Sequence, residues 1–262
     1  MSNTTPGKSI IQRHGAVALI MSLGLLVAVC HAAPTTQESQ QVTSTSIASE
    51  TLSTRQQAIV PIAAFAAKGD LAKLNDALNQ GLDAGLTVTD VREVLVQLYA
   101  YAGFPRSLNA LGELMKVLET RRQRGVQDAP GHAPSRAIPT GDALLSAGTA
   151  NQTKLAGGAV KGPLFDFAPA IDEYLKTHLF GDIFERDNLD WQSREIATVA
   201  MLAAMPGVEP QLQAHMRISM NVGLTDSQLR QLGQVLADRV DADSATHAHD
   251  ALDKQVAAKS VR

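Results

Sequence analysis

The chain has 262 residues, 45% of them hydrophobic but only 4% aromatic, and its formal net charge is −3. A composition rich in alanine, leucine and valine and poor in aromatic residues favours helices over strands. Because the charges are not gathered into long blocks of one sign, we expect neither nucleic acid nor an anionic membrane as a partner.

The first residues of the chain have the layout of a secretory signal peptide. A basic stretch precedes an uncharged apolar run over 16–30, and two small alanines follow it. The run is roughly 15 residues, shorter than the ~20 residues of a membrane-spanning helix. We therefore predict a signal peptide at 1–33 and a periplasmic or secreted protein that is not inserted in the membrane after cleavage. The alternative is a lipoprotein acylated at Cys30, which the bulky Val29 before it disfavours.

Cys30 is the only cysteine. After cleavage of the predicted signal peptide, the mature protein would contain no thiol. Disulfides, cysteine metal sites and thiol peroxidase chemistry are then excluded.

Two stretches of unusual composition divide the rest of the chain. Residues 34–52 are rich in Thr, Ser and Gln and predict a disordered tether, because they offer little to bury. Residues 121–163 are dense in proline and glycine, which interrupt regular structure, and predict a linker. Two domains, 53–120 and 164–255, remain, and their apolar residues recur at helical spacing.

The two domains repeat each other. The tripeptide Gly-Leu-Thr occurs at 85–87 in the first and at 223–225 in the second. In each, the glycine is expected to end one helix, and the threonine is expected to cap the next in a capping box with Asp90 or Gln228. The chain is therefore an internal duplication.

The second domain carries a family resemblance. The stretch 194–200, then His215, then the stretch 221–225 resemble the core of carboxymuconolactone decarboxylase and alkylhydroperoxidase D-like domains. The similarity covers about 54–120 and 164–252. It implies an all-α fold of two tandem alkylhydroperoxidase D-like helical domains joined by the Pro/Gly-rich linker.

The resemblance also implies a chemistry. Redox members of the family use a Cys-x-x-Cys pair, but the matching stretch, 208–211, has no sulfur. What remains is decarboxylase-like, with His215 as the implied acid/base and Glu195 as its partner. Such chemistry needs no metal or organic cofactor, and it requires a proton source poised near neutral pH. The predicted function is a cofactor-free lyase or isomerase step on a small carboxylated lactone or keto acid.

His215 and Glu195 also allow less specific interpretations. His215 lies on an apolar helix stripe, where a packed histidine is common. Glu195 follows Arg194 at a helix start and could form a surface ion pair. The alternative function is a non-catalytic exported helical module that binds a ligand or assembles.

The first domain departs from the pattern. Gln56 or Gln57 stands where the Glu is expected, and Ala77 stands where the His is expected. We predict that this half supplies a wall and an oligomer contact, and that Tyr99 and Tyr101 serve in packing. The resemblance implies a homo-oligomer, and the fusion of two domains makes a trimer the expected size.

A short segment near the C-terminus could suggest a metal site. His247, His249 and Asp250 lie close together in sequence. Histidines two residues apart do not share a helix face, so a solvated segment is the preferred interpretation.

Overall fold

The computed structural model describes residues 50–260, with side chains to residue 258. The predicted signal peptide with Cys30, and the predicted tether up to residue 49, lie outside the described residues. All regular structure in the described part is helical, as predicted. None of these helices is both long and apolar enough to cross a membrane.

The first repeat consists of four helices. They are α1 (Thr54–Lys68), α2 (Leu71–Asp83), α3 (Val88–Gln97) and α4 (Tyr99–Gln123). Helix α4 is kinked at Gly103, whose φ of 78° and ψ of 163° suit glycine far better than a residue with a side chain. Helix α4 therefore consists of two helical pieces that join at Gly103.

The linker region is more ordered than the sequence predicts. It contains α5 (Asp142–Ala156) and is followed by α6 (Pro163–Phe167), α7 (Pro169–Tyr174) and a π-helix (Leu175–Ile183). The prediction that 121–163 lacks regular structure is therefore wrong for α5. This helix packs on the π-helix at Gly148, where a side chain would collide with the backbone carbonyl of Lys176. Here glycine permits close helix packing instead of ending a helix.

The second repeat matches the first helix by helix. It comprises α8 (Trp191–Ala203), α9 (Glu209–Asn221), α10 (Asp226–Arg239) and α11 (Ala242–Ser260). Both predicted capping boxes are present, at Thr87 before α3 and at Thr225 before α10. Each closes orphan N–H groups at the start of its helix.

The two repeats share one hydrophobic core and are not separate globules. Helix α1 packs along α8, so the central helices of both repeats are buried along most of their length. The contacts are reciprocal. Glu93 of α3 accepts a hydrogen bond from Asn188, in the segment that precedes α8. Gln231 occupies the position of Glu93 in the second repeat. It accepts a hydrogen bond from the backbone N–H of Leu52, in the segment that precedes α1.

Candidate active site

The structure brings the two predicted site residues together. Glu195 lies in α8 and His215 lies in α9, and the Oε2 atom of Glu195 is 2.8 Å from Nδ1 of His215. Glu195 is 0% exposed and His215 is 7% exposed. The pair is therefore held in the interior, close to the surface only at the histidine.

The hydrogen bond determines how the histidine can act. When Glu195 is ionised its oxygens can only accept, and Nδ1 of His215 then donates a hydrogen bond to it. In the neutral ring, Nε2 is then the basic nitrogen, and in the charged ring it carries the second proton. Nε2 is thus the ring nitrogen that the hydrogen bond to Glu195 does not use.

Glu195 is buried on a helix that carries both apolar and polar buried side chains. Every residue of α8 from Ser193 to Ala203 is buried, and the small side chains of Ala197 and Ala200 let neighbouring helices approach closely. A buried carboxylate requires a partner, and His215 is the one it has. Its second oxygen, Oε1, has no hydrogen-bond partner, and neither has the buried Oγ of Ser219, one turn beyond His215 on α9.

The first repeat contributes Tyr101 to this site. The ring of Tyr101 meets the ring of His215 edge-on, with 5.4 Å between the ring centroids, and its hydroxyl is buried near Thr198. Burial, followed by the charge of Glu195, raises the pKa of Tyr101 well above its usual value, so the hydroxyl stays protonated. The prediction that Tyr101 serves in packing is incomplete, because the side chain also places a neutral donor beside the pair.

A buried polar network supports α8 from the side of the first repeat. The Gln97 amide in α3 donates to the hydroxyl of Thr198 at 2.7 Å and to the backbone carbonyl of Arg194 at 3.0 Å. Arg194 is 0% exposed and donates to Glu93 at 3.1 Å. The interpretation of Arg194 and Glu195 as a surface ion pair is therefore wrong. The two side chains are buried, and Arg194 binds a carboxylate of the other repeat.

Glu93 is the centre of this network. Arg186 donates to both of its oxygens, at 2.6 and 2.8 Å, and Asn188 donates at 3.1 Å. Burial by itself would raise the pKa of Glu93. Hydrogen bonds from Arg186 and Asn188, together with the charge of Arg194, outweigh it and lower the pKa to about 2. The carboxylate is charged at neutral pH and balances the buried guanidinium.

The first repeat has no counterpart of the Glu195–His215 hydrogen bond. The side chain of Gln56 belongs to the capping box of α1 with Ser53, and that of Gln57 donates to the carbonyl of Leu52 at 2.8 Å. Ala77, the counterpart of His215, cannot exchange a proton.

The C-terminal histidines lie on a packed helix and not in a solvated segment. Nδ1 of His247 is 3.0 Å from the backbone carbonyl of Ala203, while the ring of His249 lies against Gly233. Among the described residues, no group of three or more His, Asp or Glu side chains is placed to hold a metal ion.

Comparison with known proteins agrees with the repeated architecture. The model of the carboxymuconolactone decarboxylase family matches residues 38–115 and 169–254, together more than half of the chain. No curated protein matches the chain. The first matched region contains α1–α3 and the first part of α4. The second contains α7, the π-helix, α8–α10 and most of α11. The protein therefore belongs to the carboxymuconolactone decarboxylase family, as a tandem, all-α member.

Proposed function

We propose that the protein catalyses decarboxylation, or a related proton-transfer step, on a small carboxylated lactone or keto acid without a cofactor. The observation that carries the proposal is the buried hydrogen bond between Glu195 and Nδ1 of His215, which leaves Nε2 for the substrate. Family membership supports the reaction class.

The proposed reaction balances with these two residues and water. The bond between the substrate carbon and its carboxylate breaks, CO₂ leaves, and the electron pair remains as an enolate conjugated with the neighbouring carbonyl. His215 then delivers the Nε2 proton to that carbon and is reprotonated from water, so one proton is consumed per turnover. Glu195 orients the ring and compensates its positive charge.

The surroundings of Glu195 and His215 favour the proposed decarboxylation in two ways. An apolar environment disfavours the substrate carboxylate relative to neutral CO₂. The hydroxyl of Tyr101 is protonated and lies between Thr198 and the charge of Glu195, so it is suited to donate to an oxygen that gains negative charge. The first repeat thereby takes part in the site that the second repeat carries.

A screen for CO₂ release tests this function. We expect the wild-type protein to release CO₂ from at least one member of a panel of carboxylated lactones and β-keto acids, before and after dialysis against EDTA. The double variant Glu195→Gln/His215→Asn serves as the control and should not exceed the uncatalysed rate. If the wild type does not exceed that rate with any compound, the proposed function is wrong and a non-catalytic module is favoured.

We also propose that the protein self-associates, with a trimer as the predicted size. Helix α4 carries large apolar side chains on one exposed face, with Phe104, Leu108 and Met115 at 63%, 62% and 72% exposure. Burial of such a face between subunits is favourable.

Light scattering should give the mass of three chains for the wild type and a lower mass for Leu108→Glu. The neighbouring exposed substitution Asn109→Glu is the control. A monomer mass for the wild type would refute the proposal.

A further inference from the structure

A cavity of about 430 Å³ lies where the two repeats meet, and neither Glu195 nor His215 is among its lining residues. It is lined by Ala67 and Lys68 at the end of α1, by Ala102 and Arg106 around the kink of α4, and by the loop 204–208 between α8 and α9. We call it the junction pocket. Ala102 directly follows Tyr101, whose ring contacts His215, so the kinked segment of α4 lines the pocket and reaches the acid/base pair.

The charge of the junction pocket has one sign. Within the described part of the chain, its only ionisable lining residues are Lys68 and Arg106, and no acidic side chain lines it. The ammonium group of Lys68 already pairs with Asp241 at 2.7 Å. Arg106 is exposed to solvent at the edge of the pocket, and no carboxylate among the described side chains pairs with it. The guanidinium is therefore the unbalanced charge of the pocket.

Arg106 is held in place by the end of α1. Its Nη1 donates to the backbone carbonyl of Lys68. Gly69, which ends α1 with a φ of 72°, leaves the space that the guanidinium occupies, because a Cβ at this position would overlap it. A guanidinium carries five N–H donors, so this contact leaves donors for a ligand.

The remainder of the lining is apolar. Ala67, Ala102 and the loop residues Ala204, Met205, Pro206 and Val208 supply it. A pocket with an apolar wall and one unpaired guanidinium suits a small ligand that has an apolar body and an anionic group. A neutral ligand would leave the guanidinium without a counter-charge.

We propose that the junction pocket binds a small amphipathic carboxylate, and that Arg106 is the residue that selects for its negative charge. Identifying this ligand with the substrate rests on the proposed function. If the ligand is the substrate, the carboxylate that pairs with Arg106 is not the carboxylate that leaves as CO₂, because pairing with a guanidinium would stabilise it against that loss. Arg106 then anchors a second anionic group of the substrate.

Binding of an unreactive probe tests the site. Phenylacetate and the neutral phenylacetamide are titrated against the wild type and Arg106→Gln by calorimetry. We expect Arg106→Gln to weaken phenylacetate binding about tenfold or more, the scale of a charge-assisted hydrogen bond, and to leave the weaker binding of phenylacetamide unchanged. Arg106→Lys should retain part of the affinity because it keeps the charge.

The control is Arg217→Gln, which removes an exposed arginine of α9 outside the junction pocket. It should bind phenylacetate as the wild type does, and thermal melts should show that all variants are folded. Absence of phenylacetate binding to the wild type, or equal binding to Arg106→Gln, would overturn the assignment.

The binding and CO₂-release results together show whether the pocket assignment or the proposed function has failed. If binding depends on Arg106 but no compound of the panel releases CO₂, the pocket stands and the proposed function is wrong. If CO₂ release depends on His215 and Arg106→Gln changes neither phenylacetate binding nor turnover, the pocket assignment alone is wrong.

Discussion

Glu93→Gln is expected to lower the free energy of unfolding by about 3–5 kcal/mol, the cost of leaving a buried charge without its counter-charge. The charge is the guanidinium of Arg194, which is 0% exposed and has Glu93 as its carboxylate partner. The residues are on α3 and α8, so the substitution weakens the contact between the repeats. Urea denaturation of the wild type and the variant measures the difference.

Two comparisons identify the cause of that loss. Glu113→Gln removes a similar carboxylate whose ion-pair partner, Lys116, is exposed to solvent, and its effect should be much smaller. The double variant Glu93→Gln/Arg194→Met removes the stranded charge and should recover part of the stability lost in Glu93→Gln. If the double variant is the less stable of the two, the stranded charge is not the cause.

The same ion pair predicts how stability depends on pH. Folding lowers the pKa of Glu93 from its ordinary value of 4.5 to about 2. Its contribution to the free energy of unfolding is therefore complete above about pH 4.5 and is lost as the pH falls through about 2. The shift corresponds to about 3 kcal/mol. The stability of Glu93→Gln should depend less on pH in this window than that of the wild type.

His215→Asn is expected to reduce turnover per folded molecule by about 10²-fold or more, in addition to any loss of stability from weakening the contact with buried Glu195. The physical reason is that asparagine can accept or donate a hydrogen bond near Glu195 but cannot exchange a proton near neutral pH. If His215 only packs, the substitution should lower stability by about 1 kcal/mol or more but leave the activity per folded molecule intact. Initial rates of CO₂ release and thermal melts on the same samples distinguish the two.

His178 provides a matched control for this substitution. Nδ1 of His178 lies 3.2 Å from Oδ2 of Asp182, which is also a histidine–carboxylate pair, but both side chains are about half exposed and belong to the π-helix. His178→Asn should leave turnover unchanged. A His215→Asn protein that melts early yet keeps full specific activity would end the assignment of His215 as the acid/base, and that of Glu195 with it.

Local sequence patterns were sufficient to predict the helical class, the duplication and the two capping turns. Caps and amphipathic stripes arise from interactions within a few residues, so Thr87 and Thr225 identify their helix starts without knowledge of the rest of the chain. The pairing of Glu195 with His215 was also predicted, from the order and spacing of residues that resemble a known family. Their short hydrogen bond agrees with that prediction, and their catalytic role stays a proposal.

Packing between distant segments decided the rest. Gln97 and Arg194 are 97 residues apart in the chain, and Glu93 and Arg194 are 101 apart, so no local pattern reveals that they touch. The same holds for Tyr101, which is a packing residue by its local sequence and meets His215 only because the repeats share a core. Sequence periodicity shows that a helix face is apolar, but which face it meets depends on the fit of whole helices against one another. The tertiary structure alone therefore determined that the first repeat, although it lacks the acid/base pair, forms part of the site.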